Sequence, residues 1–443
     1  MRRLLFIFSF LSLLVVDGKA QEVEILTLED CLRIGIDNNL SLEGKRKEIQ
    51  KSKYGVSENR SKLLPQITAI AGYNNNFDPP VSVTDGSSYG VPYNITKTLQ
   101  HTANAGLEMQ MPLFNQTLYT SMSIAKVREE ISRLSYGKAR EDIIMQISKM
   151  YYLGQVTAEQ IVLIKANITR LEELRDITQA FFDNGMSMEV DLKRVNINLE
   201  NLKVQYDNAQ AMMKQQLNML KYIMDYPAEK EFVLTPVNTD SITTVALTGL
   251  SENIYELQLS QSQVRLAEKQ KKIISNGYIP SLSLTGSWRY AAYTDKGYHW
   301  FHSGPSNHWF RSYGLGLTLR IPIFDGLDKT YKIKKAMIDI ENSKLAWENA
   351  RKSLQTQYLN AVNDLMNNQR NFKKQKDNYL LAEDVYTVTS DRYREGIASM
   401  TEVLQDEMQM SEAQNNYISA HYNYRVTNLM LLKLTGQIES LVK

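Results

Sequence analysis

The hydrophobic pattern changes between two periodicities along the chain. Three segments alternate between apolar and polar side chains, and a fourth does so except at Ile70; they are 104–111, 281–290, 313–321 and 66–73. A two-residue period places successive side chains on opposite faces of a strand. We therefore predict four strands, each with one apolar and one polar face, at about 66–77, 100–112, 280–291 and 311–322.

Between the strands the pattern is helical over unusual lengths. Residues 116–182 and 327–393 contain no proline and only two glycines, Gly137 and Gly154. In the second run apolar residues recur every seven positions, at Ile333, Ile340, Trp347, Leu354 and Ala361. This spacing is typical of a coiled-coil seam. At 1.5 Å of rise per residue, each long helix would extend about 100 Å.

Shorter helices are predicted beside the long ones. The helical segments 41–62 and 187–225 together have nearly the length of the first long helix, and 252–276 and 399–434 nearly that of the second. Each long helix can therefore lie antiparallel to two short ones placed end to end. Gly185 and Gly396 directly follow the long helices and suit the positive φ of a helix C-terminus, so we predict hairpin tips there.

Short motifs recur at offsets of 210 to 215 residues. Leu64-Pro65 recurs as Ile279-Pro280, and Met111-Pro112-Leu113-Phe114 recurs as Ile321-Pro322-Ile323-Phe324. Gly185 of the first tip recurs as Gly396 of the second. A constant offset predicts an internal tandem duplication. The predicted domains are a first repeat over 21–225, a mid-length equatorial linker over 226–250, and a second repeat over 251–443.

The N-terminal 20 residues have the pattern of a secretory signal peptide. Arg2 and Arg3 precede a short apolar run, and Gly18 and Ala20 supply small residues at the cleavage site. The apolar run is too short to span a bilayer as a helix. No cysteine stands at the cleavage point, so we expect a cleaved signal peptide and an exported chain without a lipid.

Charge and cysteine content exclude several classes of protein. The formal net charge is +2, with 51 basic and 49 acidic side chains, which argues against a nucleic-acid partner. A single cysteine, Cys31, excludes an internal disulfide and multi-cysteine metal sites. His299, His302 and His308 lie among aromatic residues between two strands, where an extracellular loop is favoured over a metal site. We expect no catalytic residues, no metal and no cofactor, and hence no enzyme.

The strands favour a membrane barrel over a soluble sheet covered by helices. Leu315, Leu317, Leu319 and Ile321 form an uncharged face, and aromatic residues crowd one end of the strands. These features are typical of an outer-membrane β-barrel with an interfacial girdle. Four strands cannot close a barrel, and open edges are not tolerated in hydrocarbon. A trimer would supply twelve strands and a real lumen.

The whole mature chain resembles the TolC-type outer-membrane efflux proteins. The resemblance rests on the start 26–34, the Leu63-Leu64-Pro65 strand start, Met111-Pro112-Leu113-Phe114 and the two glycine tips. It implies a mainly α fold with a β-barrel end: a trimeric channel-tunnel with a shared 12-stranded barrel continuous with a periplasmic α-helical barrel. The implied setting is the outer membrane of a Gram-negative bacterium. The implied partners are the other two protomers, outer-membrane lipid, a periplasmic adaptor (membrane-fusion) protein and an inner-membrane pump of the RND or ABC type.

The resemblance also assigns residues at the tips. Family members bind the adaptor at the hairpin tips, which here are Gly185, Met186, Ser187 and Met188 with Gly396, Ile397, Ala398 and Ser399. The positions that match the family's gate are Asp191, Glu402, Tyr393 and Asp406. Rings of such acids would favour cations. The alternative is that Asp191 and Glu402 only stabilise the first turns of helices. Ala398 and Gln405 stand where the family often has a gating arginine and a second ring acid.

The resemblance implies an exit duct of a tripartite efflux system, which exports small toxic molecules and opens when the adaptor docks at the tips. A type I protein-secretion duct has the same architecture and remains an alternative. A coiled-coil rod that spaces the envelope without conducting is a second alternative, and polar strand residues facing water would argue against it. A passive porin has no use for helices of this length.

Overall fold

The computed structural model describes residues 24–97, 99–236, 249–294 and 308–442. The predicted signal peptide, His299 and His302, and the middle of the predicted linker lie outside these residues. The chain forms two compact units. Among the described residues, one unit comprises those up to 40 together with those in 141–249 and 359–443, and the other comprises those in 41–140 and 250–358.

Helices make up most of the described chain. In chain order the elements are β1 (Glu24–Leu26), α1 (Leu28–Asn38), α2 (Leu40–Ser61), β2 (Gln66–Asn75), β3 (Val81–Asp85), β4 (Tyr93–Lys97), β5 (His101–Phe114), α3 (Gln116–Asp183), α4 (Glu189–Met224), β6 (Phe232–Leu234), α5 (Tyr255–Asn276), β7 (Ser281–Thr294), β8 (His308–Arg320), α6 (Asp328–Arg394) and α7 (Met400–Leu434). Among the described residues, no helix is long and apolar enough to cross a membrane.

The unit formed by 41–140 and 250–358 contains a four-stranded antiparallel sheet in the order β2-β5-β7-β8. Its register places Thr68, Glu108, Ser287 and Gly314 in one row across the four strands. The helices of this unit pack closely where α3 meets α5. There Gly137 lies against the Tyr255 ring with no room for a Cβ, and Asn276 Nδ2 donates to Thr120 Oγ1 at 2.5 Å.

The other unit is built on the remaining parts of α3 and α6 with α1, α4 and α7. Thr27 and Asp30 form a capping box that starts α1, and Gly35 allows α1 to approach Ile147 of α3. Cys31 is completely buried here, and burial raises the pKa of its thiol to about 12. This cysteine is therefore an inert core residue.

The observed elements differ from the predicted ones mainly at their ends. Strand β2 stops at Asn75 rather than 77, β7 continues to Thr294, and β8 runs over His308–Arg320 rather than 311–322. Two strand pairs were not predicted at all. They are the parallel pair β1–β6 and the antiparallel hairpin β3–β4.

Candidate functional site

The first candidate surface is the polar face of the four-stranded sheet. The strand register gathers polar and small residues on this face, including Gln66, Thr68, Glu108, Gln110, Thr285, Ser287, Gly314 and Gly316. Together with Met109, Gly286 and Leu315 of the neighbouring row, these residues line a cavity of about 480 Å³.

The opposite face of the sheet is apolar and exposed. Leu315 is 80% exposed, and Tyr313, Leu317 and Leu319 are also exposed. Trp288 and Tyr290 in the second half of β7 pack edge to face at 5.4 Å between ring centroids. A contiguous apolar face of this kind indicates contact with lipid or another protein.

The second candidate surface is formed by the two hairpin tips. After α3, the Met186 N–H donates to Phe181 O at 2.8 Å and the Gly185 N–H to Phe182 O at 2.9 Å. After α6, Ile397 and Gly396 make the corresponding bonds to Arg392 and Tyr393 at the same distances. Gly185 and Gly396 have φ of 71° and 74°. Both tips therefore end in the same Schellman turn.

An apolar cluster, which we call the tip cluster, holds the two hairpins together. Its buried members come from α3, α4, α6 and α7: Leu171, Leu174, Val195, Leu199, Leu202, Tyr386, Tyr393, Met400, Val403, Leu404 and Met410. Ala398 packs against it from the second tip. Met186, Met188 and Ile397 remain exposed, and Ser187 is half-buried.

The two predicted ring acids have different local bonds. Glu402 closes a capping box with Ser399: its Oε2 accepts from the Ser399 N–H at 2.7 Å and from the Ser399 hydroxyl at 3.1 Å. The backbone and side-chain hydrogen bonds from Ser399 lower the pKa of the Glu402 carboxyl. Asp191 instead pairs with Arg194 at 3.4 Å, and Arg194 also donates to Thr401 Oγ1 at 3.4 Å. Arg194 thereby links the first turns of α4 and α7.

The other two predicted gate residues lie at the end of α6 and on α7. Tyr393 belongs to the tip cluster, and its hydroxyl donates to Thr178 Oγ1 at 3.3 Å. Asp406 is half-buried on α7. Gln405, which stands at the position of the second ring acid, lines a groove of about 470 Å³ with Arg194 and Met408. The structure thus brings Asp191, Arg194, Thr401 and Gln405 together beside the tip cluster.

Sequence reasoning missed a buried acid in this region. Glu407 is 5% exposed, and its Oε1 has no hydrogen-bond partner among the described residues. Burial raises the pKa of its carboxyl. A signal was present, because Glu407 lies at the helical spacing of the buried residues Val403, Leu404 and Met410.

A second buried polar group also escaped prediction. Tyr417 Oη donates to Glu159 Oε1 at 2.9 Å, the His421 imidazole lies 3.4 Å from Glu159 Oε2, and Arg425 Nε donates to His421 Nε2 at 3.0 Å. Burial alone would raise the pKa of Glu159, but the hydrogen bonds from His421 and Tyr417 outweigh it and lower the pKa. Since Nε2 accepts, Nδ1 carries the imidazole proton and donates to Glu159. This network fixes α7 against α3.

The described residues contain no group of three or more His, Cys, Asp or Glu side chains that could hold a metal ion. The sheet and the tips present two candidate surfaces: a polar sheet face with an apolar face opposite it, and a pair of matched helical hairpins.

A sequence model of the outer membrane efflux protein family matches residues 34–224 and again 246–437. The chain belongs to this family. It is 21% identical over 396 residues to the outer membrane protein TolC of Vibrio cholerae, covering 86% of this chain and 84% of that protein. It is 23% identical over 382 residues to the probable efflux pump outer membrane protein TtgC of Pseudomonas putida, covering 81% and 75%.

Solved structures share the fold of this efflux protein. The crystal structure of CusC, described by its conformational changes on folding and transmembrane channel formation, matches with a TM-score of 0.77 at 15% identity, over 92% of this chain and 91% of that one. The predicted TolC-type resemblance and the mainly helical tunnel fold are thereby confirmed. The family and its structural neighbours are outer-membrane efflux channels, not enzymes.

Proposed function

We propose that three copies of this efflux protein form the exit duct of a tripartite efflux system, through which small toxic molecules leave the cell. The observation that carries the proposal is the sheet, which has a polar face, an exposed apolar face and two edge strands, β2 and β8, without a neighbour among the described strands. In a bilayer such edges must be paired. Three sheets joined edge to edge would give twelve strands around a polar lumen.

The two repeats predicted from the sequence, over 21–225 and 251–443 with the linker 226–250, remain part of this proposal. Two observations support a duplication. The family model matches two successive segments of similar length. The two tips also repeat the same pair of C-terminal hydrogen bonds around a glycine with positive φ.

We further propose that the tips receive a periplasmic adaptor and close the duct at rest. Exposed Met186, Met188 and Ile397 give the tips apolar contact area for a partner. Asp191 and Glu402 would form the acid rings, with Asp406 and Tyr393 behind them. The docked adaptor connects the duct to an inner-membrane pump of the RND or ABC type. A cleaved signal peptide over 1–20 directs the chain out of the cytoplasm to the Gram-negative outer membrane.

Cysteine accessibility tests whether the polar face lines an aqueous duct. The chain has a single cysteine, Cys31, and it is buried, so an introduced cysteine supplies the only accessible thiol. Ser287→Cys lies on the polar face, and Leu315→Cys lies on the apolar face of the neighbouring strand. In intact outer membranes a charged, impermeant thiol reagent should modify Ser287→Cys at least tenfold faster than Leu315→Cys.

Two outcomes would overturn the proposal. Equal rates at the two positions in membranes would mean that the polar face does not line a water-filled lumen; equal rates are expected only after denaturation, which is the control. Cross-linking of the purified protein should give trimers, and a dimer as the largest species would contradict the twelve-stranded arrangement.

Conductance in planar bilayers separates a duct from a spacer. Small, cation-selective openings that millimolar divalent cations block are expected for a duct with acid rings. Asp191→Asn should weaken both the selectivity and the block. A protein that never conducts, even with the tip acids replaced, would favour the envelope-spacer alternative. Export assays with a protein substrate and with dyes would distinguish type I secretion from small-molecule efflux.

A further inference from the structure

One ion pair interrupts the otherwise uncharged middle of the sheet's polar face. Among the described strand residues on that face, only Glu108, Arg289 and Arg320 carry a formal charge. Arg320 lies at the end of β8, whereas Glu108 and Arg289 lie in the interior of β5 and β7. Arg289 Nη2 donates to Glu108 Oε1 at 2.5 Å.

The strands are arranged so that Arg289 can reach this partner. The residue directly opposite Arg289 on β5 is Gly106, and Glu108 is opposite Ser287. A Cβ at position 106 would clash with Trp288 O and lie 2.9 Å from Arg289 Cα. With no side chain at this point, β5 and β7 approach closely and the guanidinium lies diagonally across β5 to Glu108.

The ion pair is accessible from the polar face of the sheet. The side chains of Arg289 and Glu108 are 42% and 48% exposed. Their neighbours on β8 are small: Ser312 faces Arg289, and Gly314 is in the row of Glu108. No large side chain on these positions of β8 covers the pair.

The guanidinium has unused hydrogen-bonding capacity. Arginine carries five N–H donors, and the side-chain contacts described for Arg289 occupy Nη2 with Glu108 alone. Its Nε–H is covered and has no acceptor among the described residues. A planar guanidinium with free donors recognises carboxylate, phosphate and sulfonate groups.

We propose that the Arg289–Glu108 pair sets the charge preference of the duct: Arg289 is an anion-attracting group in the pore lining, and Glu108 is the counter-charge that keeps this level of the lumen neutral. The inference rests on the proposed function, because the polar face must line the duct. Three-fold symmetry would then place three such pairs at one height. With the three pairs intact, solutes of either charge pass this level of the lumen. Loss of Glu108 leaves a ring of three arginines, which selects anionic solutes.

The test measures charge preference beside the ion pair. Ser287→Cys, in the row of Glu108, serves as the reporter in the full-length protein in membranes. Its modification rate is measured with a negatively charged and with a positively charged methanethiosulfonate reagent of similar size. Both rates are determined in four proteins: with Glu108 and Arg289 intact, with Glu108→Gln, with Arg289→Gln, and with both substitutions. Arg311→Gln, on the apolar face of β8, is the matched control.

Glu108→Gln should raise the ratio of anionic to cationic reaction rates about three- to tenfold at low ionic strength, and Arg289→Gln should lower it by a similar factor. The double variant should return the ratio to within about twofold of that with the intact pair, and 1 M salt should suppress the differences. Arg311→Gln should leave the ratio unchanged.

The outcomes separate this inference from the proposed function. Ser287→Cys could react readily while the ratio of anionic to cationic reaction rates is the same in all four proteins. The proposed charge role of Arg289 and Glu108 would then be wrong, and the proposal that the polar face lines a duct would be unaffected. If Ser287→Cys reacts no faster than Leu315→Cys, the polar face does not line a duct and both proposals fail. A shift with Arg311→Gln as large as that with Arg289→Gln would also refute the inference.

Discussion

Replacing Glu407 should stabilise the protein at neutral pH. Glu407 is 5% exposed in α7, one of its carboxylate oxygens lacks a partner among the described residues, and burial raises the pKa of the carboxyl above the ordinary value of 4.5. The folded state binds the proton of this carboxyl more tightly than the unfolded state does. The stability gained from this difference in proton binding is fully present below about pH 4.5 and is lost as the pH rises through the folded-state pKa.

The expected magnitude follows from the two costs of a buried carboxylate. An unsatisfied buried acceptor costs about 1–3 kcal/mol, and each unit by which burial raises a pKa adds about 1.4 kcal/mol of destabilisation at higher pH. Glu407→Met removes both costs and keeps nearly the same length beside Met410. We expect it to raise the free energy of unfolding by about 1–3 kcal/mol at pH 7.5, and by less at pH 4.5.

The assay is urea unfolding of the detergent-solubilised protein, followed by far-UV circular dichroism at the two pH values. Glu412→Met, at an exposed position of the same helix, is the control and should change stability by less than about 0.5 kcal/mol. A Glu407→Met variant less stable than the wild type at pH 7.5 would show that the carboxylate is ionised and has a stabilising partner. A stability difference independent of pH would show that folding does not shift the pKa of this carboxyl.

Four further substitutions, one of them a control, test the tips and the helix packing in the same unfolding assay. Gly185→Ala should destabilise by about 1–2 kcal/mol because its φ is 71°, whereas Gly44→Ala, with open space in helix α2, should stabilise by up to about 1 kcal/mol; equal effects would contradict the turn assignment. Ser399→Ala should cost about 1 kcal/mol through loss of the α7 cap, and no change would show that the cap is unimportant. Leu174→Ala should cost about 2–5 kcal/mol in the tip cluster, and a cost below 1 kcal/mol would contradict tight packing there.

The long helices and the four sheet strands follow from local information, which is why the sequence predicts them well. Heptad spacing over 327–393 needs no knowledge of the partner helix, and the observed α6 covers Asp328–Arg394. The positive φ at both tips was likewise predictable, since glycine follows directly where the helical pattern stops.

The unpredicted pairs depend on contacts that the local pattern does not contain. Strand β1 is three residues long, and its partner β6 lies about 200 residues further along the chain, so neither has enough length to show a period. The β3–β4 hairpin did carry a signal, because Val81-Ser82-Val83-Thr84 alternates. The burial of Glu407 was also predictable, because this acid occupies a position that the helical spacing of the surrounding apolar residues places in the core.

The two acids that sequence spacing treats as equivalents are not equivalent in the structure. Ser399 is the N-cap of α7 and needs the Glu402 carboxylate for its capping box, whereas the N-cap of α4 is Met188, which has no side chain that can cap. Asp191 is therefore free of a capping role and pairs with Arg194 instead. A charge change at Glu402 alters both the start of a helix and the field at the tip. A change at Asp191 breaks no capping hydrogen bond; it alters the electrostatic field at the tip, the charge at the start of α4 and the Arg194 contact. Asp191 is therefore the position at which an effect on conduction can be read as electrostatic.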